Sequence, residues 1–228
     1  MTPQELKNSI LQLAIQGKLV EQRPEEGTAE ELVAQIQAKK QRLIDEKKIK
    51  NEKPLPEITE DEKPFDIPES WMWVRLFDLA DACETPFADG PFGSNLKSEH
   101  YTNRQEVRII QLSNIGETGW KDSNKKYTTF EHLKTIQRSE TSAGDIVIAK
   151  MMPAGRAIIV PDIEKKFVLS SDAVKFVPSK LLNKIYLYYA INSSVFKNQV
   201  YSEVQGITRV RTSLQKIKKV DCKIKLDT

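Results

Sequence analysis

A chain of 228 residues with 39% hydrophobic and 29% charged residues can bury a sizeable core, and no apolar run approaches the roughly eighteen residues of a membrane span. Two cysteines, Cys83 and Cys222, and two histidines, His100 and His132, exclude a disulfide framework and a four-cysteine zinc site. With no basic-then-apolar leader at Met1-Thr2-Pro3-Gln4-Glu5, the expected address is the cytoplasm. The net charge of +3 divides unevenly: residues 1–62 carry 10 Lys/Arg against 13 Asp/Glu, and the remainder 25 against 19. A basic body behind an acidic arm suits a polyanionic partner.

Residues 2–17 predict a short helix. Thr2 can cap it, Pro3 fits the first turn, Glu5 completes a capping box, and Leu6, Ile10 and Leu13 recur at helical spacing before Gly17. The same start signal returns at Thr28-Ala29-Glu30-Glu31, and the helical pattern runs to about Ile49. Ala29, Leu32, Val33, Ile36, Leu43 and Ile44 fall on one stripe, with Lys40 and Lys47 inside it. A stripe of that kind lies against something, either the chain's own body or another chain; Leu32, Ile36 and Leu43 are the candidate docking side chains. Residues 50–70 hold Pro54, Pro56, Pro64 and Pro68 among acidic residues, which predicts an extended connector. The expected layout is a helical arm over 1–50, a connector over 51–70 and a body over 71–228.

The body predicts short strands at Trp71–Leu76, Val107–Leu112, Asp145–Ala149, Ala157–Val160, Phe167–Leu169 and Val174–Val177, a helix at Leu181–Ile191, and alternation again over Leu214–Leu226. The class is α+β: a mixed, twisted, barrel-like sheet with few helices.

Phosphate-binding loops, a nucleophile elbow, a zinc-protease helix and the signatures of amino-methyltransferases are missing, so no catalytic residue, metal or cofactor is expected. One pattern competes: Asp145, Glu164 and Lys166 have a D…E-x-K spacing that in a metal-dependent nuclease would hold a divalent ion and activate water. The same residues also read as a turn and an exposed hairpin tip.

Four segments combine glycine with polar or basic residues. In the stretch from Phe87 to Lys97, Gly90 and Gly93 let the backbone approach phosphate, while Ser94, Asn95 and Lys97 can bond phosphates or base edges. Lys150 and Arg156 flank a hairpin tip, and Ser171 sits at a polar strand end. Thr208, Arg209 and Arg211 close the set, arginine being able to grip guanine or phosphate with two bonds. Each segment alone reads more readily as an ordinary turn. The aromatics Phe87 and Phe92 read more readily as core plugs than as stacking platforms.

Their order along the chain adds more. The run Leu6 to Val20, a long helix, a proline-rich connector, Phe65-Asp66-Ile67-Pro68-Glu69-Ser70-Trp71-Met72-Trp73-Val74-Arg75-Leu76, then Gly90-Pro91-Phe92-Gly93-Ser94, Gly144-Asp145-Ile146 and Gly206-Ile207-Thr208-Arg209 together resemble the DNA-specificity subunits of type I restriction–modification systems. The resemblance implies a target recognition domain that binds double-stranded DNA and has no catalysis of its own. Its implied partners are a methyltransferase subunit, through it a restriction subunit, and a second specificity chain. Full members of the family carry two recognition domains, each followed by a long helix. This sequence carries one and stops at Thr228, which implies a half subunit, a truncated gene product or a fragment. A scaffold without DNA binding is the remaining alternative.

Overall fold

The computed structural model describes residues 2–23, 25, 27–151, 153–202 and 211–225. Helix α1 (Pro3–Ile15) starts as the sequence predicts: the Thr2 hydroxyl accepts from the Glu5 amide and the Glu5 carboxylate accepts from the Thr2 amide at 2.7 Å. It ends at Gly17, whose φ of +68° is left-handed and whose bare Cα lies under Pro68 and Trp71; a Cβ there would come within 2.7 Å of the Pro68 ring. Helix α2 (Ala29–Asp45) has the reciprocal cap between Thr28 and Glu31. It stops four residues short of the expected end, because Lys47 turns left-handed at φ 55° and the Lys48 amide folds back onto the Leu43 carbonyl at 2.9 Å.

Along the chain then follow β1 (Met72–Arg75), β2 (Phe87–Asp89), β3 (Val107–Ile110), β4 (Tyr127–Thr128), α3 (Phe130–Thr135), β5 (Glu140–Thr141), β6 (Ile146–Ala149), β7 (Ala157–Ile159), β8 (Phe167–Leu169), β9 (Ala173–Phe176), α4 (Lys184–Ile191), α5 (Ser194–Ser202), α6 (Leu214–Lys219) and β10 (Asp221–Ile224). The α+β class stands, but the single sheet expected is three among the described residues. β1 and β10 form an antiparallel ribbon, β2-β9-β6-β7 an antiparallel sheet, and β4-β3-β8-β5 a mixed sheet in which β3 and β8 run parallel.

The layers follow from strand periodicity. On β6, Ile146 and Ile148 face a core shared with Val174 and Phe176 of β9, Leu187 and Ile191 of α4, Phe196 and Val200 of α5, and Leu214 and Ile217 of α6. The alternate residues Val147 and Ala149 face the mixed sheet, meeting Ile110, Phe167 and Leu169. On the far side of that sheet, Val107, Ile109 and Val168 pack against Leu133 and Ile136, at and just beyond α3. Strands covered on both faces read as unbroken apolar runs, as β6 does.

Leu32 and Ile36, expected on a face open to another chain, lie instead in the first core at 2% and 1% exposure, with Ala29 and Val33 beside them. Leu43 is half-buried. The N-terminal part of the α2 stripe is thus covered by the chain's own body, one of the two alternatives the stripe left open, and the docking expectation for Leu32 and Ile36 is corrected, while Leu43 and Ile44 stay half-buried.

The connector is strapped to the body by Arg75, which donates to the carbonyls of Pro56 and Glu57 and pairs with Glu62 and Asp221. Cys83 and Cys222 are unpaired. Among the described residues no helix is long and apolar enough to cross a membrane.

Candidate nucleic-acid interface

Strand β9 lies between β2 and β6 and runs antiparallel to both, so the end of β2, the end of β6 and the start of β9 lie at one end of the same sheet. Three of the four segments singled out in the sequence therefore meet, together with the end of the fourth. Gly90, immediately after β2, donates its amide to the Ala173 carbonyl at 3.1 Å. It crosses Ser170 so closely that a Cβ at Gly90 would fall 1.7 Å from the Ser170 oxygen. The Lys150 amide donates to Asp172 at 2.8 Å, and the Lys150 carbonyl accepts from Thr212 at 2.9 Å. Arg211 closes the ring, donating to the Ser171 carbonyl at 2.7 Å and to Asp172 at 3.0 Å. Thr208 and Arg209 lie outside the described residues.

The side chains differ in what they present. Gly93, Ser94, Asn95 and Lys97 are exposed, and Arg156, Ser171 and Arg211 are half-buried. Lys150 is only 2% exposed and its ammonium is tied to Asp89, so the expectation that it meets a ligand directly is corrected. A desolvated lysine needs a counter-ion, and the chain supplies one. Arg156 donates to the Pro153 carbonyl at 3.1 Å, which orients its guanidinium at the hairpin tip.

Several supporting residues carried no signal in the sequence. His100 and His132 stack at 4.1 Å between ring centres under the exposed loop. The His100 Nδ1 accepts from the Lys97 amide at 3.0 Å, and the His132 Nε2 lies 2.8 Å from the Asn95 carbonyl. Ser139 donates to the Asp89 carbonyl at 2.8 Å. Lys197 on α5 packs beside Gly155, next to Arg156. Burial lowers its ammonium pKa, Glu117 opposes that shift and Arg156 adds to it. His100 lies three residues from the Lys97 amide it accepts from; the other groups are remote in sequence from what they hold, and only spatial proximity identifies them.

The nuclease constellation does not form. The Asp145 carboxylate accepts from the Thr141 hydroxyl and the Ser142 amide, at 3.0 and 2.8 Å. Glu164 accepts from the Tyr127 hydroxyl at 2.8 Å, beside the fully buried Arg108. Lys166 is paired with Glu140. Each of the three is committed to a structural partner, and no cluster of three or more metal-ligating side chains occurs among the described residues.

No family model matches the chain. It is 31% identical over 216 residues to the type I restriction enzyme EcoAI specificity subunit of Escherichia coli, covering 88% of this chain and 33% of that protein. It is 27% identical over 213 residues to the EcoEI specificity subunit of the same species, covering 92% and 35%. The chain thus spans about a third of the length of these curated relatives. A chain from a solved type I R-M system matches its fold with a TM-score of 0.53 at 15% identity, over 99% of this chain and 49% of the other.

Proposed function

Because the chain is homologous to the specificity subunits of type I restriction enzymes over about a third of their length, we propose that it is a DNA-reading module of such an enzyme. It directs a separate methyltransferase subunit, and through it a restriction subunit, to a target site in the cytoplasm. It performs no chemistry itself. The observation that carries this reading is the convergence of Gly90–Lys97, Lys150–Arg156, Ser170–Asp172 and Arg211 at one end of one sheet. Loops gathered in this way from distant parts of a sequence form a surface in which phosphate contacts fix the register and a few side chains reach base edges.

The test is co-expression with a cognate methyltransferase subunit. The complex is expected to methylate one defined sequence and to bind duplex DNA with strong salt dependence. Methylation without sequence preference, or binding indifferent to salt, would remove the reading.

A further inference from the structure

Phe92 stands out on this face. It is 64% exposed, and no other phenylalanine among the described residues is as open to solvent. A single exposed apolar side chain is ordinary on a protein surface; the mounting of this one is not. Before it, Gly90 is wedged against Ser170 and Pro91 is buried. After it, Gly93 takes a left-handed φ of +50°, and the Phe92 carbonyl accepts from the Asn95 amide at 3.0 Å. The stacked His100 and His132 hold the backbone at Lys97 and Asn95. The Lys150 ammonium, fixed by Asp89, lies 5.5 Å from the centre of the Phe92 ring, a separation at which a cation is attracted to an aromatic face. The ring is therefore presented on a braced loop, with the exposed Ser94, Asn95 and Lys97 following it in sequence.

Resting on the DNA-reading function proposed above, we infer that Phe92 is a specificity-determining wedge that inserts at a base step of the target duplex. Apolar side chains inserted in this way partly unstack the step and kink the duplex. The cost depends on which bases are separated, pyrimidine–purine steps being the easiest to open. A wedge on a floppy loop would lose this discrimination to its own entropy. The brace of Gly90, Lys150 and the two histidines removes that loss. Lys97 and Arg156 supply the charge that brings the backbone up to the ring.

The experiment uses the chain in complex with its methyltransferase subunit. The probe is the duplex site that the wild-type complex methylates, carrying 2-aminopurine at successive positions. Wild type is expected to brighten the probe at one step. Phe92→Ala should abolish that signal and weaken binding to the site by about 10-fold or more, with unchanged melting temperature, unchanged assembly and unchanged affinity for an unrelated duplex. Phe92→Leu, which keeps an apolar wedge, should retain part of both signal and affinity. A Phe92→Ala complex that brightens and binds as wild type does overturns the inference. So does equal weakening on the site and the unrelated duplex. If the wild-type complex prefers no site at all, the DNA-reading function has failed rather than the role of Phe92 within it.

Discussion

Lys223 is a buried lysine without a hydrogen-bond partner for its ammonium among the described residues. Its Nζ lies 5.1 Å from the ring centres of Phe65 and of Trp71, and burial brings its pKa down to about 7. Two residues earlier, burial raises the Asp221 carboxyl to about 6, with Arg75 opposing and Glu62 adding. The signs give separate windows. Lys223 favours folding in its neutral form, so its contribution is complete above the unfolded value of 10.5 and is lost as pH falls through about 7. Asp221 also favours its neutral form, so its contribution is complete below 3.8 and is lost as pH rises through about 6. Lys223→Met removes the unpaired charge and keeps an apolar stem between the rings. It should stabilise the chain at pH 6 by about 1–3 kcal/mol, or about 2–4 °C per kcal/mol, and flatten the rise in melting temperature between pH 7 and 10. Thermal melts across that range check it; a parallel shift at every pH would show that the ammonium is already well compensated.

At the scale of elements, α2 decides how the arm relates to the body. Its Leu32 and Ile36 share a core with β1, β6 and β9, so Leu32→Ala and Ile36→Ala should each cost about 2–5 kcal/mol. Leu43→Ala, at a half-buried position, should cost less. Chemical denaturation of the single variants measures this. A stable Ile36→Ala chain that loses only its methyltransferase partner would return the helix to an external role. The helix starts were legible because a capping box is a local chemical signal, and Thr2/Glu5 and Thr28/Glu31 both form it. The side that α2 buries was not, because a stripe does not name the surface opposite it. Strand β2 carries no strand signal of its own, since Phe87-Ala88-Asp89 has only three residues before Gly90. Over Leu214–Leu226 the apolar residues suggest one alternating run, although their period changes midway. Leu214 and Ile217 are three apart on α6, capped by Ser213, whereas Val220, Cys222 and Ile224 alternate along and just before β10. Averaging the two periods hid the helix.

Over the whole molecule, the proposed interface exists because antiparallel pairing carries β2, β6 and β9 to a common end, a relation no local pattern encodes. The glycine-rich and basic segments were legible one by one; which of their cations would face outward was not. Asp89 draws Lys150 inward and Asp172 holds Arg211, so two of the four cations expected from the described part of the site are neutralised in place. Lys97 is exposed, and Arg156 forms no ion pair among the described residues. These two should therefore carry the phosphate contacts. Arg156→Ala should weaken binding to all duplexes alike and lower the slope of log affinity against log salt by about 1, the amount set by one lost phosphate contact. It should leave the melting temperature unchanged. Lys150→Met should do the reverse. It strands the Asp89 carboxylate and removes the cation beside Phe92, so it lowers the melting temperature and loosens site preference, while the salt slope stays at its wild-type value. Titrations of the methyltransferase complex at several salt concentrations, with melts of both variants, separate the two roles. A reduced slope for Lys150→Met would mean that its ammonium reaches a phosphate after all and that the Asp89 pair opens on binding.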